Sequence, residues 1–435
     1  MLLVYSQQIT PRINYAFDLI FKDILGVEYS ITPDIQEFQN FPGPRLNYSS
    51  GRTGDEFFIE PAGLLTENNI ESKTLPVTEW NGTKIFFKTS VRSDMPFDLF
   101  SASFYLVTRY EEYLSLEHDK HDRFRAEESI SYKNNFLHKP MVNIWAGILK
   151  QLLHERFPDL VFPAVNYEYI STFDLDNVYC YKGKSFFRNA GGAVKSLLKF
   201  DFHKIAERIN VLSGKINDPF DHYDFHRKIQ EQYGFPIIYF FLFAKKTGFD
   251  SAVSPKSKAY KTLIDSIKEY AQIGLHPSYY SNVNSGLLKN EIQNLREVSQ
   301  LSITKSRQHF LKITFPSTYQ NLIKSGITED YSMGYQSHPG FRAGICTPFY
   351  FYDLTKESVT GLKIFPFSIM DSAMYDYLKI SPDEAFLHIK PIVDEVKNVN
   401  GTLISIWHDR TFCNTGKYKG WKELFIEMVK IANKK

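Results

Sequence analysis

Glu168-Tyr169-Ile170-Ser171-Thr172-Phe173-Asp174-Leu175-Asp176-Asn177 is the stretch on which the fold turns. An apolar strand, Glu168 to Phe173, runs straight into two carboxylates spaced i, i+2. Side chains two apart on a strand share a face, so Asp174 and Asp176 are expected to point into one site at the strand's end. Two close carboxylates repel, which is costly unless a cation or a shared proton compensates. A divalent metal plus one free base is an economical arrangement. The competing reading is an ordinary strand-to-loop turn in which Asp caps the next helix, and this stretch alone leaves both open.

Outward from it, the chain alternates short apolar strands with amphipathic helices, which argues for β/α units forming a parallel sheet or barrel. Strands are expected at Glu168 to Phe173, Pro236 to Phe243, Ile273 to Leu275, His309 to Ile313, Leu362 to Phe367 and Thr402 to Trp407. Tyr260, Leu263, Ile264, Ile267 and Tyr270 share one helical face. Pro316 opens a helix that Gly326 closes. Ser381, Pro382 and Glu384 form an N-cap, an N1 proline and a capping box, with Gly401 after the helix end. Residues 181–223 are a long, partly helical insertion of the kind that shapes a cleft. The texture changes near residue 165. Before it, strand-like pieces (Met1 to Tyr5, Lys84 to Lys88) and helical stretches (Phe100 to Leu114, Met141 to His154) mix with turn-rich loops. The expected fold class is therefore α/β, with an N-terminal α/β (α+β) domain over residues 1–165 and a β/α domain over 166–435.

Further stretches could carry chemistry. Gly274-Leu275-His276-Pro277-Ser278 puts a histidine at a strand's C-terminal end, where β/α proteins keep catalytic groups; a lone histidine there is more often a loop residue, and its weight comes from the Asp pair upstream. Ser306-Arg307-Gln308-His309 lies at a strand start. Ser405-Ile406-Trp407-His408-Asp409-Arg410 delivers His408 in a place suited to proton transfer, tuned by Asp409 or another carboxylate, or else as a histidine bonded to a backbone carbonyl. Arg342 and Asp371 are candidate substrate contacts and equally structural ion-pair partners, the reading slightly favoured for each. Tyr280 and Trp407 complete the candidate substrate-binding set. The cluster His118, Asp119, His121 and Asp122 reads as a solvated loop rather than a metal site.

Composition excludes several classes. Lys plus Arg number 51 against 49 Asp plus Glu, a net charge of +2 with no basic stripe, so nucleic-acid binding is not expected. Aromatics reach 16% and suit large cores, clefts and possible sugar-stacking surfaces. The three cysteines, Cys180, Cys346 and Cys413, are far apart and support neither a disulfide framework nor a CxxC metal site. The longest apolar run, Phe235 to Ala244, is about half of what spans a bilayer. No signal peptide is read at the N-terminus, and a cytoplasmic setting is expected. GxGxxG, P-loop and GxSxG motifs are missing, so nucleotide binding and a hydrolase nucleophile elbow have no support.

In their order, these motifs resemble the polysaccharide deacetylases of carbohydrate esterase family four, over residues 165–435. The resemblance implies an irregular (β/α) barrel. Thr172-Phe173-Asp174-Leu175-Asp176 is similar to that family's first motif, which makes Asp174 the catalytic base and Asp176 a metal ligand. His276 resembles the first histidine of the second motif, Arg307 the arginine that orients the base, and His408 the general acid; the segment around Phe365, Pro366 and Asp371 matches the fourth motif loosely. Two departures stand out. The second motif carries another histidine four residues on, where this chain has Tyr280; His309, two residues after Arg307, is the expected replacement. The third motif also lacks the family's usual Arg-x-Pro-Tyr form. The implied activity is metal-dependent removal of an acetyl group from an N- or O-acetylated sugar or polysaccharide, with zinc as the expected cation. The alternative is a non-catalytic glycan-binding protein on the same scaffold with a degenerate metal site. The N-terminal residues carry no assignable chemistry and are expected to pack over the barrel and wall one side of the cleft.

Overall fold

A computed structural model describes residues 1–115, 117–244, 247–250 and 257–434. The N-terminal part is built on strands β1 (Leu2–Tyr5), β2 (Tyr29–Thr32), β3 (Arg45–Tyr48) and β4 (Phe57–Ile59). They form an all-parallel sheet in the order β2-β1-β3-β4. A small antiparallel hairpin joins β5 (Thr78–Trp80) to β6 (Thr83–Ile85). The helices here are α1 (Pro11–Phe17), α2 (Ile35–Asn40), α3 (Leu99–Val107), α4 (Ile130–Lys133) and α5 (Met141–Arg156). The helix expected from Phe100 to Leu114 ends at Val107, because Arg109 takes the left-handed φ of 55° and the chain continues as a 3-10 turn.

The second sheet holds β7 (Glu168–Leu175), β8 (Ile237–Leu242), β9 (Gln272–His276), β10 (Lys305–Ser306), β11 (Glu329–Asp330), β12 (Phe349–Asp353), β13 (Ser358–Ile364), β14 (Ile369–Met370) and β15 (Thr402–His408). Its order is β12-β13-β11-β10-β9-β8-β7-β15-β14, parallel throughout except for the β12–β13 pair. Helices α6 (Phe186–Leu198), α7 (Phe202–Leu212), α8 (Tyr223–Tyr233), α9 (Lys258–Ile267), α10 (Ser285–Ser299), α11 (Ser317–Lys324), α12 (Pro382–Asn398) and α13 (Trp421–Asn433) alternate with the strands. The regular ring expected of a barrel is not completed by strand pairing: β12 and β14 are the two ends. The run from β13 to β14 nevertheless bonds on both sides, Phe365 N to Asp330 O at 2.8 Å and Ser368 N to Ile404 O at 3.1 Å.

Alternation along the central strands sets what faces the site. Ile170 on β7, Ile238 and Phe240 on β8, and Ile404 and Ile406 on β15 gather in one inner apolar cluster. Tyr169 and Phe173, Tyr239 and Phe241, and Leu403 and Trp407 belong instead to the large outer core. The period of two therefore carries Asp174 and His408 inward at the end of the same ladder, where they are register partners. The strand expected at His309 to Ile313 is a 3-10 turn; the strand is Lys305–Ser306, and Phe310 and Leu311 take left-handed φ values of 60° and 53°. The apolar residues that suggested a strand are buried around a turn. The strand expected at Leu362 to Phe367 runs over Ser358–Ile364 instead. The Ser381–Glu384 capping box is present in both directions, and α6 and α7 occupy the insertion between β7 and β8. None of the described helices is long and apolar enough to cross a membrane.

One apolar core runs from Leu2 to Ala432, so the two sheets share an interior. Buried charges cross the same seam. Glu112 accepts from Arg109 at 2.7 Å and from Arg342 at 2.8 and 2.5 Å, and Arg12 bonds Glu357 at 2.8 Å. Removing one member of such a pair leaves a charge in low dielectric. Arg342→Ala is expected to destabilise the protein by roughly 3–5 kcal/mol, read as a lowered urea midpoint; a midpoint within error of the wild type would show that the Arg109–Glu112–Arg342 cluster holds nothing together.

Candidate metal centre and acid–base site

At the C-terminal end of β7, β8, β9 and β15 lies a cavity of about 360 Å³ lined by Asp174, Asp176, His276, His309 and His408, among others. Each reaches it for a local reason. Asp174 is the last inward-facing residue of β7, and Asp176 follows two positions on, just beyond the strand. His276 ends β9, and within that strand a Cβ on Gly274 would lie 2.5 Å from the Phe240 ring, so only glycine lets that ring pack inward. His309 comes from the turn after β10.

Asp174 and Asp176 have separate partners, which answers their mutual repulsion. Arg307 Nη1 donates to Asp174 Oδ1 at 2.9 Å and to Thr172 Oγ1 at 2.6 Å, and its Nε donates to the Tyr331 carbonyl at 3.0 Å. Arg410 Nη1 donates to Asp176 Oδ2 at 2.6 Å. The other oxygen, Asp176 Oδ1, is buried and has no hydrogen-bond partner. It lies 3.4 Å from His276 Nε2 and 3.5 Å from His309 Nε2. Burial raises the Asp176 carboxyl, but His276 and Arg410 outweigh it and hold the group well below the usual carboxylate range.

Both histidines are turned by a bond at the far nitrogen. His276 Nδ1 meets the Arg307 carbonyl at 2.5 Å, and His309 Nδ1 meets Asp250 Oδ1 at 2.9 Å. A carbonyl and a carboxylate only accept, so each neutral ring carries its proton on Nδ1 and aims the Nε2 lone pair at Asp176. Asp250 is fixed in turn by the Tyr279 amide at 3.0 Å and the Thr247 hydroxyl at 2.7 Å. Among the described residues, Asp176, His276 and His309 are the group whose ligand atoms all lie within 4.8 Å of one another. An orphaned carboxylate oxygen facing two imidazole lone pairs fits a divalent cation.

His408 forms the opposite wall. Its Nδ1 is 2.6 Å from Asp371 Oδ1, while Asp371 Oδ2 accepts from the His408 amide at 2.8 Å and from the Thr411 hydroxyl. Burial lowers the imidazole pKa, but the Asp371 charge more than offsets this and brings it to about 9. Asp409, the neighbour in sequence, instead accepts from the Asn177 amide at 2.6 Å; burial and the Asp176 charge raise its pKa to about 7.

Other residues expected at the site lie elsewhere. Trp407 alternates to the outer face of β15, where it is fully buried against Phe412 and Phe425. Arg342 is buried on Glu112, the ion-pair role favoured for it in sequence. Tyr280 is half-exposed and packs near Tyr279 and Phe249 rather than lining the cavity. Asp371 is fully buried behind His408 and serves it rather than the open space. Conversely, Asp250, Arg410 and Arg123 belong to the site or its support without having been singled out. Arg410 sat in the quoted His408 stretch as part of a charged loop. Arg123 lines the cavity from the N-terminal part, where its Nη1 donates to the Phe310 carbonyl at 2.7 Å and its Nη2 to the Tyr377 hydroxyl at 3.0 Å. Asp250 carried no sequence signal. In the histidine-rich loop, His118 pairs with Asp122 at 2.8 Å and Asp119 with Arg123, while His121 packs on Phe310.

Residues 2–158 match a family of unknown function (DUF7033). No curated protein matches the chain in sequence. Solved structures similar to it include a Mycobacterium smegmatis protein classed with the polysaccharide deacetylases, at 14% identity and a TM-score of 0.38, covering 62% of this chain and 86% of that one. A family 4 carbohydrate esterase from Streptomyces lividans, in complex with acetate, is 11% identical with a TM-score of 0.29, over 61% of this chain and 90% of that one. The polysaccharide deacetylase Bc1974 from Bacillus cereus gives 11% and 0.29, over 61% and 88%. These overlaps are remote.

The His408–Asp371 pair has a titration signature. In metal-free protein, His408 is expected to stay charged through neutrality and titrate at about 9. The stabilisation from the pair is therefore complete below the ordinary histidine value and fades as pH rises through the folded value. Asp371→Asn removes the charge and leaves burial to push the imidazole down. Histidine NMR titration reads both; a wild-type His408 that titrates at or below the ordinary value contradicts the assignment.

Proposed function

We propose that the protein is a metal-dependent hydrolase that removes acetyl groups from an N- or O-acetylated sugar or polysaccharide. The observation that carries this is the meeting, in one cavity, of a carboxylate held by an arginine, an Asp-His-His donor set and a carboxylate-backed imidazole. Asp176, His276 and His309 would hold the cation, zinc by the chemistry of the donors. When bound, it supplies Lewis-acid polarisation of the acetyl carbonyl and of a water molecule.

The chain's own groups divide the proton work. Asp174 takes a proton from the water as its oxygen bonds to the acetyl carbon. Arg307 fixes the carboxylate through a charge-assisted bond and keeps Oδ2 turned toward the cavity, 4.0 Å from His276 Nε2. His408, charged at neutral pH, gives its proton to the leaving amine or alcohol as the bond to the acetyl carbon breaks. The products are acetate and the free sugar group, and the proton taken by Asp174 replaces the one His408 gave. Asp371 keeps the imidazole oriented and charged. Residues 1–165 act in this reading as an accessory unit whose Arg123 walls the cavity, and 166–435 as the deacetylase-type β/α domain, an irregular barrel closed by the bend between β13 and β14.

Asp174→Asn should lower acetate release from acetylated glycans by roughly a hundredfold or more while zinc stays bound. Unchanged release removes Asp174 from the base role, whereas protein that binds glycans without metal or acetate release supports a binding protein on the same scaffold. A separate measurement addresses the cation. His309→Ala should abolish stoichiometric zinc, and Asp250→Asn should weaken it roughly 10–100-fold, both by competition with a chromophoric chelator; equal affinity in all three proteins rejects the assigned donors.

A further inference from the structure

Helices α6 and α7 form a hairpin that is inside out. In α6 the residues turned inward are polar, with Asn189 8% and Ser196 9% exposed, whereas Phe186 is 80%, Phe187 84% and Leu198 76% exposed. In α7, Phe202 and Ile209 face solvent at 61% and 60%, while Arg208 reaches inward to the Asn189 carbonyl and lies over the Tyr181 ring. The Tyr181 hydroxyl donates to Glu207 at 2.6 Å. Apart from Val211, buried near the end of α7, the hairpin packs on a polar seam and offers its apolar stripe outward. A hairpin made only for water and the protein core would be turned the other way. The turn repeats the pattern: Phe200 takes the left-handed φ of 53° and is 80% exposed. A bulky side chain rarely adopts that conformation, and here it gains no burial in return.

The exposed charges beside the stripe are mostly lysines, Lys195, Lys199, Lys204 and Lys215. The nearby carboxylates are engaged, Glu207 by Tyr181 and Asp201 as the α7 N-cap and a partner of Lys204 at 3.3 Å. Two such faces brought together would set lysine against lysine, which disfavours a second copy as the occupant. At 13 and 11 residues, the helices are about 20 and 16 Å long, well short of the ~30 Å hydrocarbon layer. Aromatic and aliphatic side chains fringed by lysines on short helices suit the headgroup region of an anionic bilayer, with the helices lying in its plane.

We propose that the α6–α7 hairpin docks the protein on an anionic lipid surface. The hairpin's base is pinned beside the cavity: the amides of Cys180 and Tyr181 donate to Asp218 at 2.6 and 2.8 Å, and Asn177, next to Asp176 in the chain, lines the cavity. Docking therefore brings the cavity's side of the sheet near the membrane. The inference is independent of the chemistry inside the cavity.

Flotation of the full-length protein with phosphatidylcholine vesicles, with and without phosphatidylglycerol, tests it. The wild type should float with the anionic vesicles, less at raised salt, and hardly with pure phosphatidylcholine. Combining Phe187→Ser, Leu198→Ser and Phe200→Ser, all at exposed positions, should cut partitioning by about tenfold or more, as should Lys195→Glu with Lys199→Glu; circular dichroism unchanged from wild type verifies the fold of each. Failure of the wild type to float, or flotation indifferent to these substitutions, overturns the proposal. So does sedimentation showing a wild-type dimer that the serine variants dissociate without vesicle binding, which would make the face a self-interface.

Discussion

The guanidinium of Arg307 is fully buried, and most of the site's order follows from how that charge is accommodated. An isolated cation in this position would be prohibitively costly, so the surroundings are committed to it. Asp174 supplies the countercharge, Thr172 and the Tyr331 carbonyl take further donors, and the group stacks 4.6 Å from the Phe240 ring centroid. The Phe240 ring can sit there because residue 274 is glycine. The Arg307 carbonyl then orients His276. A single residue on the turn after β10 thus fixes the carboxylate of β7 through its side chain and an imidazole of β9 through its backbone. Asp174 is left with one oxygen committed and one facing the cavity, which is the condition for a base that is placed without being used up.

What was legible in the sequence is what a period of two and local capping decide. The run from Glu168 into two carboxylates put Asp174 and Asp176 on one face, because side chains two apart on a strand point the same way. The capping box at Ser381 is likewise a local matter. Illegible features depend on which distant surfaces meet. Asp250 is fixed to His309 across 59 positions of chain, and Asp371 to His408 across 37. Of the carboxylates expected to tune His408, Asp409 or another, it is Asp371 that meets the ring, while Asp409, in the turn after β15, turns to the Asn177 amide. Alternation along β15 carried Trp407 out of the cavity. His309 to Ile313 read as a strand because apolar content cannot distinguish a buried turn from a buried strand.

The seam between the two sheets follows a different rule from the site. Glu112 sits between Arg109 and Arg342 and has no solvent to turn to, so its burial is tolerable only while both arginines are present. This ties residues near 110 to residues near 340, and the apolar core is continuous across the same line. Arg123 gains its place at the cavity from this attachment. Its own contacts, Asp119, the Phe310 carbonyl and the Tyr377 hydroxyl, lie on three separate segments. A side chain held from three directions is fixed well enough to be part of the wall.

The arrangement at His309 shows how a turn can hold an imidazole opposite a buried carboxylate as firmly as a strand does. Tyr280, four residues after His276, has its ring outside the cavity beside Tyr279 and Phe249. His309 reaches Asp176 Oδ1 from the turn after the adjacent strand at 3.5 Å, nearly the 3.4 Å of His276. A residue on a turn would ordinarily be too loose for such a task. The looseness is removed by three constraints: the His309 amide donates to the Pro277 carbonyl at 3.2 Å, its ring packs 4.9 Å from that of His276, and Asp250 holds Nδ1. The left-handed φ of Phe310 and Leu311 makes the turn sharp enough to aim the ring back over β9. Backbone strain there and a buried aspartate behind the ring together set the direction of the imidazole.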